Sequence, residues 1–166
     1  MKNSLSFVAA SALLAVGMVG AAAGTVSAQT RTAQPAAAAR PPQPSPACGP
    51  GQPTSSKSVD KASRCFELRT YTVREGSSIE LLHSRFRDHT SALFIKHGMT
   101  IVGYWQPVDK PNVLIYLLAY KDNASRDASW AAFNTDPEWV KTRTEMAVNV
   151  QVQSQFMGAT DYSPMK

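Results

Sequence analysis

The sequence predicts an α+β fold over residues 65–166, with an antiparallel sheet in the ferredoxin-like βαββαβ order and helices on one face. Three observations lead to this prediction. Residues 65–73 alternate as a strand does, a helical apolar period follows them, and residues 113–120 are apolar at nearly every position. Turn residues separate these segments, and their order is that of the split βαβ arrangement.

The first strand, CFELRTYTV (65–73), has one apolar and one amphipathic face. Phe66 and Leu68 lie on the apolar face, because successive side chains of a strand point to opposite sides. Glu67, Arg69 and Tyr71 share the other face. We expect that face to lie inside a dimer, with Arg69 paired to Glu67 of a second chain. The alternative is that the Glu67 carboxylate acts as a base, although the sequence identifies no partner for it.

The first helix follows the turn REGSS (74–78). Ser77 or Ser78 is the predicted N-cap, and Gly98 ends the helix after His97. These signals predict one continuous α-helix.

The remaining elements follow from shorter patterns. Residues 99–107 and 113–120 are predicted strands joined by a turn. A helix is expected from Ser125 to about Asn134, and Asp136 followed by Pro137 starts another through Arg143. The last strand is predicted near 154–162.

The strand VLIYLLAY (113–120) predicts a homodimer. Its side chains are apolar on both faces, so both faces must be buried. The helices cover one face, and a second copy of the chain is the economical cover for the other.

The residues before the domain are typical of export. Residues 1–28 combine Lys2, an apolar run and small residues at Val26 and Ala28, the pattern of a signal peptide cleaved after Ala28. Residues 29–64 are a Pro/Ala-rich linker that we expect to be disordered. The expected location is periplasmic or secreted, with no stable membrane anchor after cleavage.

Charge and cysteine content exclude several classes. The net charge is +5, but residues 65–166 hold 11 basic and 11 acidic side chains, so no nucleic acid is expected as a partner. Cys48 and Cys65 are permitted to form a disulfide in an exported protein. They lack the histidine spacing of a metal site, and no glycine-rich phosphate loop occurs, so we expect no cofactor.

The domain resembles the NIPSNAP family of the dimeric α/β-barrel superfamily. The resemblance rests on seven motifs in order: ELRTY (67–71), RFRDHT (85–90), KHGM (96–99), VGYW (102–105), LIYLLAY (114–120), WAAFNTDPEW (130–139) and TDYSP (160–164). It implies a pocket between each sheet and its helices. No agreed reaction attaches to bacterial members of the family.

The candidate pocket is aromatic with a few polar groups, as ligand sites for small apolar molecules are. Its candidate lining residues are Phe86, His89, Tyr104, Trp105, Tyr116, Trp130 and Trp139. The same aromatic side chains are equally consistent with a filled core.

His89 leaves two interpretations open. Counted at about 100° per residue, it lies roughly 50° from the centre of the helix's apolar stripe. It is either a structural histidine held by a hydrogen bond or a catalytic acid/base in the pocket. His97 is expected to interact with the helix terminus, and His83 with solvent.

Three functions therefore compete. The first is an exported homodimer that binds a small apolar or aromatic ligand, or a protein partner, without catalysis. The alternative is a cofactor-independent monooxygenase or isomerase acting on a small aromatic or enolisable substrate through His89, or a haem-binding protein.

Overall fold

A computed structural model of the chain describes residues 46–54 and 56–166. The predicted signal peptide and the first part of the linker lie outside these residues. The elements are β1 Cys65–Val73, α1 Ile79–Arg85, a π-helical segment Phe86–Thr90, α2 Ser91–Lys96, β2 Thr100–Trp105, β3 Val113–Tyr120, α3 Asn123–Thr135, α4 Pro137–Glu145 and β4 Val150–Met157. The four strands form one antiparallel sheet in the order β2-β3-β1-β4. The predicted α+β fold is confirmed.

Helix starts agree closely with the capping signals. Ser78 Oγ accepts a hydrogen bond from the Leu81 N–H at 3.2 Å, and Asp136 Oδ1 accepts one from Glu138 N–H at 2.9 Å. The cap of α3 is Asp122, three residues before the predicted Ser125, whose N–H it accepts at 2.7 Å. A side-chain oxygen thus satisfies an otherwise unpaired helix N–H at all three starts.

The first helical region is not the uniform α-helix that was predicted. Residues Phe86–Thr90 form a π-helical turn, and Ser91 Oγ donates to the Phe86 carbonyl at 2.7 Å. A π-turn inserts one residue and shifts every later side chain around the helix axis. Thr90 consequently takes the buried position that an uninterrupted helix would give to His89, which is only half-buried.

The core between helices and sheet is mostly aromatic. Tyr116 of β3 lies fully buried at its centre, with its ring centroid 5.2 Å from that of Phe86 and 5.9 Å from that of Phe94. Tyr71 and Tyr104 pack on the same cluster. Edge-to-face and tilted contacts of this kind favour a rigid core.

The opposite face of the sheet is partly covered by the chain's own ends. Val59 pairs with Thr160, and the Arg64 guanidinium lies 5.6 Å from the ring centroid of Phe66. Ile115 and Leu117 of β3 are half-buried on this face, and Leu117 borders the C-terminal segment together with Thr160 and Met165. The last strand starts earlier than predicted, at Val150, because its outward glutamines interrupt the apolar pattern. None of the described helices has the length and apolarity needed to cross a bilayer.

Candidate functional site

A fully buried carboxylate organises the chamber between β1 and the helices. Glu67 Oε1 accepts from Arg69 Nη1 at 2.7 Å, and its Oε2 accepts from Trp130 Nε1 at 2.9 Å, Tyr120 OH at 3.1 Å and Arg126 Nε at 3.2 Å. We call these five residues the Glu67 cluster. Glu67 and Arg69 pair within one chain, so the expected intersubunit pair is wrong.

The Glu67 cluster holds an ionised acid. Burial alone raises the pKa of the Glu67 carboxyl. Arg69, Trp130 and Arg126 lower this pKa by more than burial raises it, so it lies below its ordinary value. Burial and the neighbouring carboxylate raise the pKa of the Tyr120 hydroxyl. Tyr120 therefore remains a hydrogen-bond donor, and both oxygens of Glu67 are paired, while Arg69 Nε is left without a partner among the described residues.

An inner cavity of about 110 Å³ borders this cluster. It is lined by Arg69, Tyr71, Arg85, Phe86, Thr90, Phe94, Trp130, Phe133, Asn134 and Trp139. Asn134 is the one exposed residue of this lining. The inner cavity therefore meets solvent near Asn134, at the end of α3. Four lining residues carry a buried polar atom without a hydrogen-bond partner among the described residues: Arg69 Nε, Arg85 Nε, Thr90 Oγ1 and Trp139 Nε1.

Arg85 differs from the other buried charges. It is 5% exposed, yet no carboxylate of the described residues lies within 4.0 Å of its guanidinium. Its Nη1 donates to the Met146 carbonyl at 3.1 Å, and its guanidinium carbon lies 5.6 Å from the Trp139 ring centroid. Burial lowers the pKa of Arg85, and the nearby Tyr71 and Tyr116 oppose this shift. A buried cation of this kind is unfavourable unless an anion joins it.

An outer cavity of about 410 Å³ lies beside α1 and the edge strand β2. Its lining residues are His83, Phe86, Arg87, Ser91, Tyr104, Trp105, Gln106 and Leu114. Tyr104 OH is 2.9 Å from Ser91 Oγ, and His83 Nε2 is 3.0 Å from Gln106 Oε1. The Phe86 ring lines both the outer and the inner cavity.

The structure distributes six of the seven predicted lining residues over three places. Phe86, Tyr104 and Trp105 line the outer cavity, and Phe86, Trp130 and Trp139 line the inner one. Tyr116 lies behind Phe86 as part of the core. His89 contributes to neither lining, so its catalytic role stays a prediction.

Sequence reasoning missed Arg85 and Arg126. Arg85 lies three residues after Leu82 and next to Phe86, so it is a basic residue on the apolar side of the helix. A charged residue at such a position is rarely buried without a partner. That signal was present in the sequence.

The other candidate residues have structural partners. A disulfide joins Cys48 to Cys65, the first residue of β1. His97 Nε2 and Lys96 Nζ each lie 2.7 Å from Asp136 Oδ2, so His97 ties the end of α2 to the N-cap of α4. Residues 46–54 and 56–166 contain no group of three His, Cys, Asp or Glu side chains arranged to hold a metal ion.

Comparisons with known proteins identify related sequences and folds. The sequence profile of the NIPSNAP family matches residues 66–164. A crystal structure of a NIPSNAP family protein of unknown function from Agrobacterium tumefaciens is 20% identical, with a TM-score of 0.56, covering 63% of this chain and 95% of its own. An uncharacterised NIPSNAP-like domain protein from Burkholderia xenovorans is 20% identical, with a TM-score of 0.55, covering 61% of this chain and 90% of its own.

A more distant structure is SnoaB, a cofactor-independent oxygenase from Streptomyces nogalater. It is 17% identical, with a TM-score of 0.47, and the match covers 62% of this chain and 99% of SnoaB. Likeness at this level carries no argument about a reaction. A search of curated proteins found no significant match.

Proposed function

Because this chain belongs to the NIPSNAP family, we propose that it is an exported, homodimeric module that binds a small aromatic molecule between its helices and its sheet. The observation that carries the proposal is the pair of cavities whose linings share Phe86. In this proposal the aromatic part of the ligand lies in the outer cavity and its polar group in the inner one.

The two cavities have complementary properties. At about 410 Å³ the outer cavity is in the size range of small-molecule sites, and Phe86, Tyr104 and Leu114 give it apolar walls. The inner cavity is smaller and contains unpaired polar atoms. An apolar body with one polar end fits this combination.

Binding is better supported than catalysis by a cofactor-independent monooxygenase or isomerase. Such an enzyme needs a general base within hydrogen-bond reach of its substrate. The inner lining contains no carboxylate and no imidazole side chain, and His89 lies outside both linings. A haem-binding role is also less favoured, because His83, the one imidazole in either lining, is already 3.0 Å from Gln106.

A second copy of this chain is the proposed partner. Ile115, Leu117 and Leu68 are half-buried on the face of the sheet away from the helices, and Trp105 at its edge is 51% exposed. Light scattering should give twice the mass of one chain. Ile115→Glu should halve that mass, whereas Val108→Glu, on an exposed turn, should leave it unchanged. An unchanged mass for the Ile115→Glu variant would contradict this dimer face.

Export is supported by the disulfide between Cys48 and Cys65, because such bonds persist in oxidising compartments. Fractionation of the producing cells should place the shortened protein outside the cytoplasm. Recovery of the full-length protein in the cytoplasmic fraction would contradict export.

The binding proposal is tested by filling the outer cavity. Ser91→Phe places a ring among the lining residues, and Ala92→Phe places the same ring at the adjacent exposed position, which lines neither cavity. The purified chain is titrated by calorimetry with 1-naphthoate and with 1-naphthamide. We expect at least one compound to bind, with affinity reduced about tenfold or more by Ser91→Phe and retained in Ala92→Phe. Equal affinity in both variants, or no binding of either compound, would contradict the proposal.

A further inference from the structure

We infer that the ligand of this chamber is an organic anion, and that Arg85, Thr90 and Trp139 bind its carboxylate in the inner cavity. This inference rests on the proposed binding function and names the chemical class of its ligand. Three observations support this inference: the unpaired polar atoms of the lining, the charge balance around the cavity and the open edge of the Arg85 guanidinium.

The unpaired atoms are all hydrogen-bond donors. Arg69 Nε, Arg85 Nε and Trp139 Nε1 can only donate, and the Thr90 hydroxyl can donate as well. Arg85 and Thr90 are more than nine-tenths buried. A carboxylate offers only acceptors, so it complements this set, whereas a neutral amide brings its own donors into the same space.

The charge around the cavity is not balanced within the chain. Glu67 pairs with Arg69 and Arg126, and Arg126 also pairs with Asp127, so these four groups cancel. Arg85 is left as one buried positive charge. An anionic ligand would supply the missing charge where solvent screens it weakly.

The guanidinium of Arg85 has one edge free for a planar acid. Its Nη1 is engaged with the Met146 carbonyl, which leaves the edge formed by Nε and Nη2. Arginine binds carboxylates through two parallel hydrogen bonds from such an edge. The aromatic side chains of Phe86 and Trp139 line the same cavity, and hydrogen bonds are stronger in such surroundings of low dielectric constant than in water.

The experiment compares carboxylates with their neutral amides. The purified full chain is titrated by calorimetry with acetate, benzoate and 1-naphthoate, each against acetamide, benzamide and 1-naphthamide. The same titrations are run on Arg85→Met, Arg85→Lys and Arg143→Met. Arg143 is exposed in the last turn of α4 and serves as the matched loss of one charge. Circular dichroism confirms that each variant is folded.

We expect the best carboxylate to bind at least tenfold more tightly than its amide in the wild type, as a charge-assisted bond requires. Arg85→Met should abolish this preference, Arg85→Lys should retain part of it, and Arg143→Met should leave it unchanged. Amides that bind as tightly as carboxylates would overturn this inference and leave the binding function standing. Absence of binding by either class would overturn both. Should Arg85→Met fail to fold, a reduced preference in Arg85→Lys supports the inference and an undiminished preference overturns it.

Discussion

Two buried ionic regions lie side by side under the helices, and they differ in completeness. In the Glu67 cluster, one carboxylate accepts four hydrogen bonds from groups on β1, β3 and α3. In the inner cavity, Arg85 has one backbone partner, and three further lining residues hold unpaired donors. The first region is closed by the chain itself, and the second lacks an acceptor.

This difference separates stability from binding. A satisfied buried network fixes the helices on the sheet, and removing one member leaves a charge without compensation. An unsatisfied group costs stability in the free protein and is retained where a ligand completes it.

The largest effect is expected from Glu67→Gln. The change leaves Arg69 and Arg126 without their shared anion in a buried site, which costs about 3–5 kcal/mol of unfolding free energy. Urea denaturation measures it, with Glu75→Gln in an exposed turn as the control. A loss below about 1 kcal/mol would show that the Glu67 cluster does not hold the fold.

Loss of the disulfide is expected to rank next. The bond between Cys48 and Cys65 closes a loop with a sequence separation of 17, for which chain entropy predicts about 3 kcal/mol. The double variant Cys48→Ser, Cys65→Ser should therefore unfold at lower urea concentration, and carboxylate binding should persist because neither residue lines a cavity of the chamber. Loss of binding in the folded double variant would show that the inner cavity depends on the disulfide.

A loss of stability confined to acid pH is expected from two carboxyl groups whose pKa is lowered in the folded state. The pKa of Glu67 is lowered in the folded state despite its burial, and hydrogen bonds from Lys96 and His97 hold the pKa of Asp136 well below its usual range. Each carboxyl then takes up its proton at higher pH when unfolded than when folded. The ionised carboxylates of Glu67 and Asp136 stabilise the folded state above about pH 5. This stabilisation declines as the pH falls through about 4 and below.

Urea denaturation between pH 3 and pH 7 measures this decline. Glu67→Gln should be less stable than the wild type at neutral pH and show a flatter acid limb. A decline equally steep in Glu67→Gln and in the wild type would exclude Glu67 as a source of the acid sensitivity.

The fold was largely predictable because it depends on local patterns. Alternation in β1, the apolar β3 and the caps Ser78 and Asp136 each act over a few residues. The site was less predictable. The π-turn at Phe86–Thr90 changed which side chains face inward, and a count at a constant angle cannot detect such an insertion.

The Glu67 cluster shows a second limit of sequence reasoning. Glu67 and Arg69 were correctly placed on one strand face, but their partners Trp130 and Arg126 come from α3, some sixty residues along the chain. Only the packing of α3 on the sheet brings them together. The pairing of Glu67 with Arg69 within one chain or between two chains therefore depends on which face of β1 meets the helices.

The most direct measurement is the unfolding free energy of Arg85→Met relative to the wild type, both without ligand. This substitution is also expected to have the smallest effect. Removing an uncompensated buried charge relieves its desolvation, which offsets the lost bond to Met146 and the contact with Trp139. We predict a stability within about 1 kcal/mol of the wild type, or higher. A loss of about 3 kcal/mol or more, comparable to Glu67→Gln, would show that Arg85 is a structural residue and would contradict its reservation for a ligand.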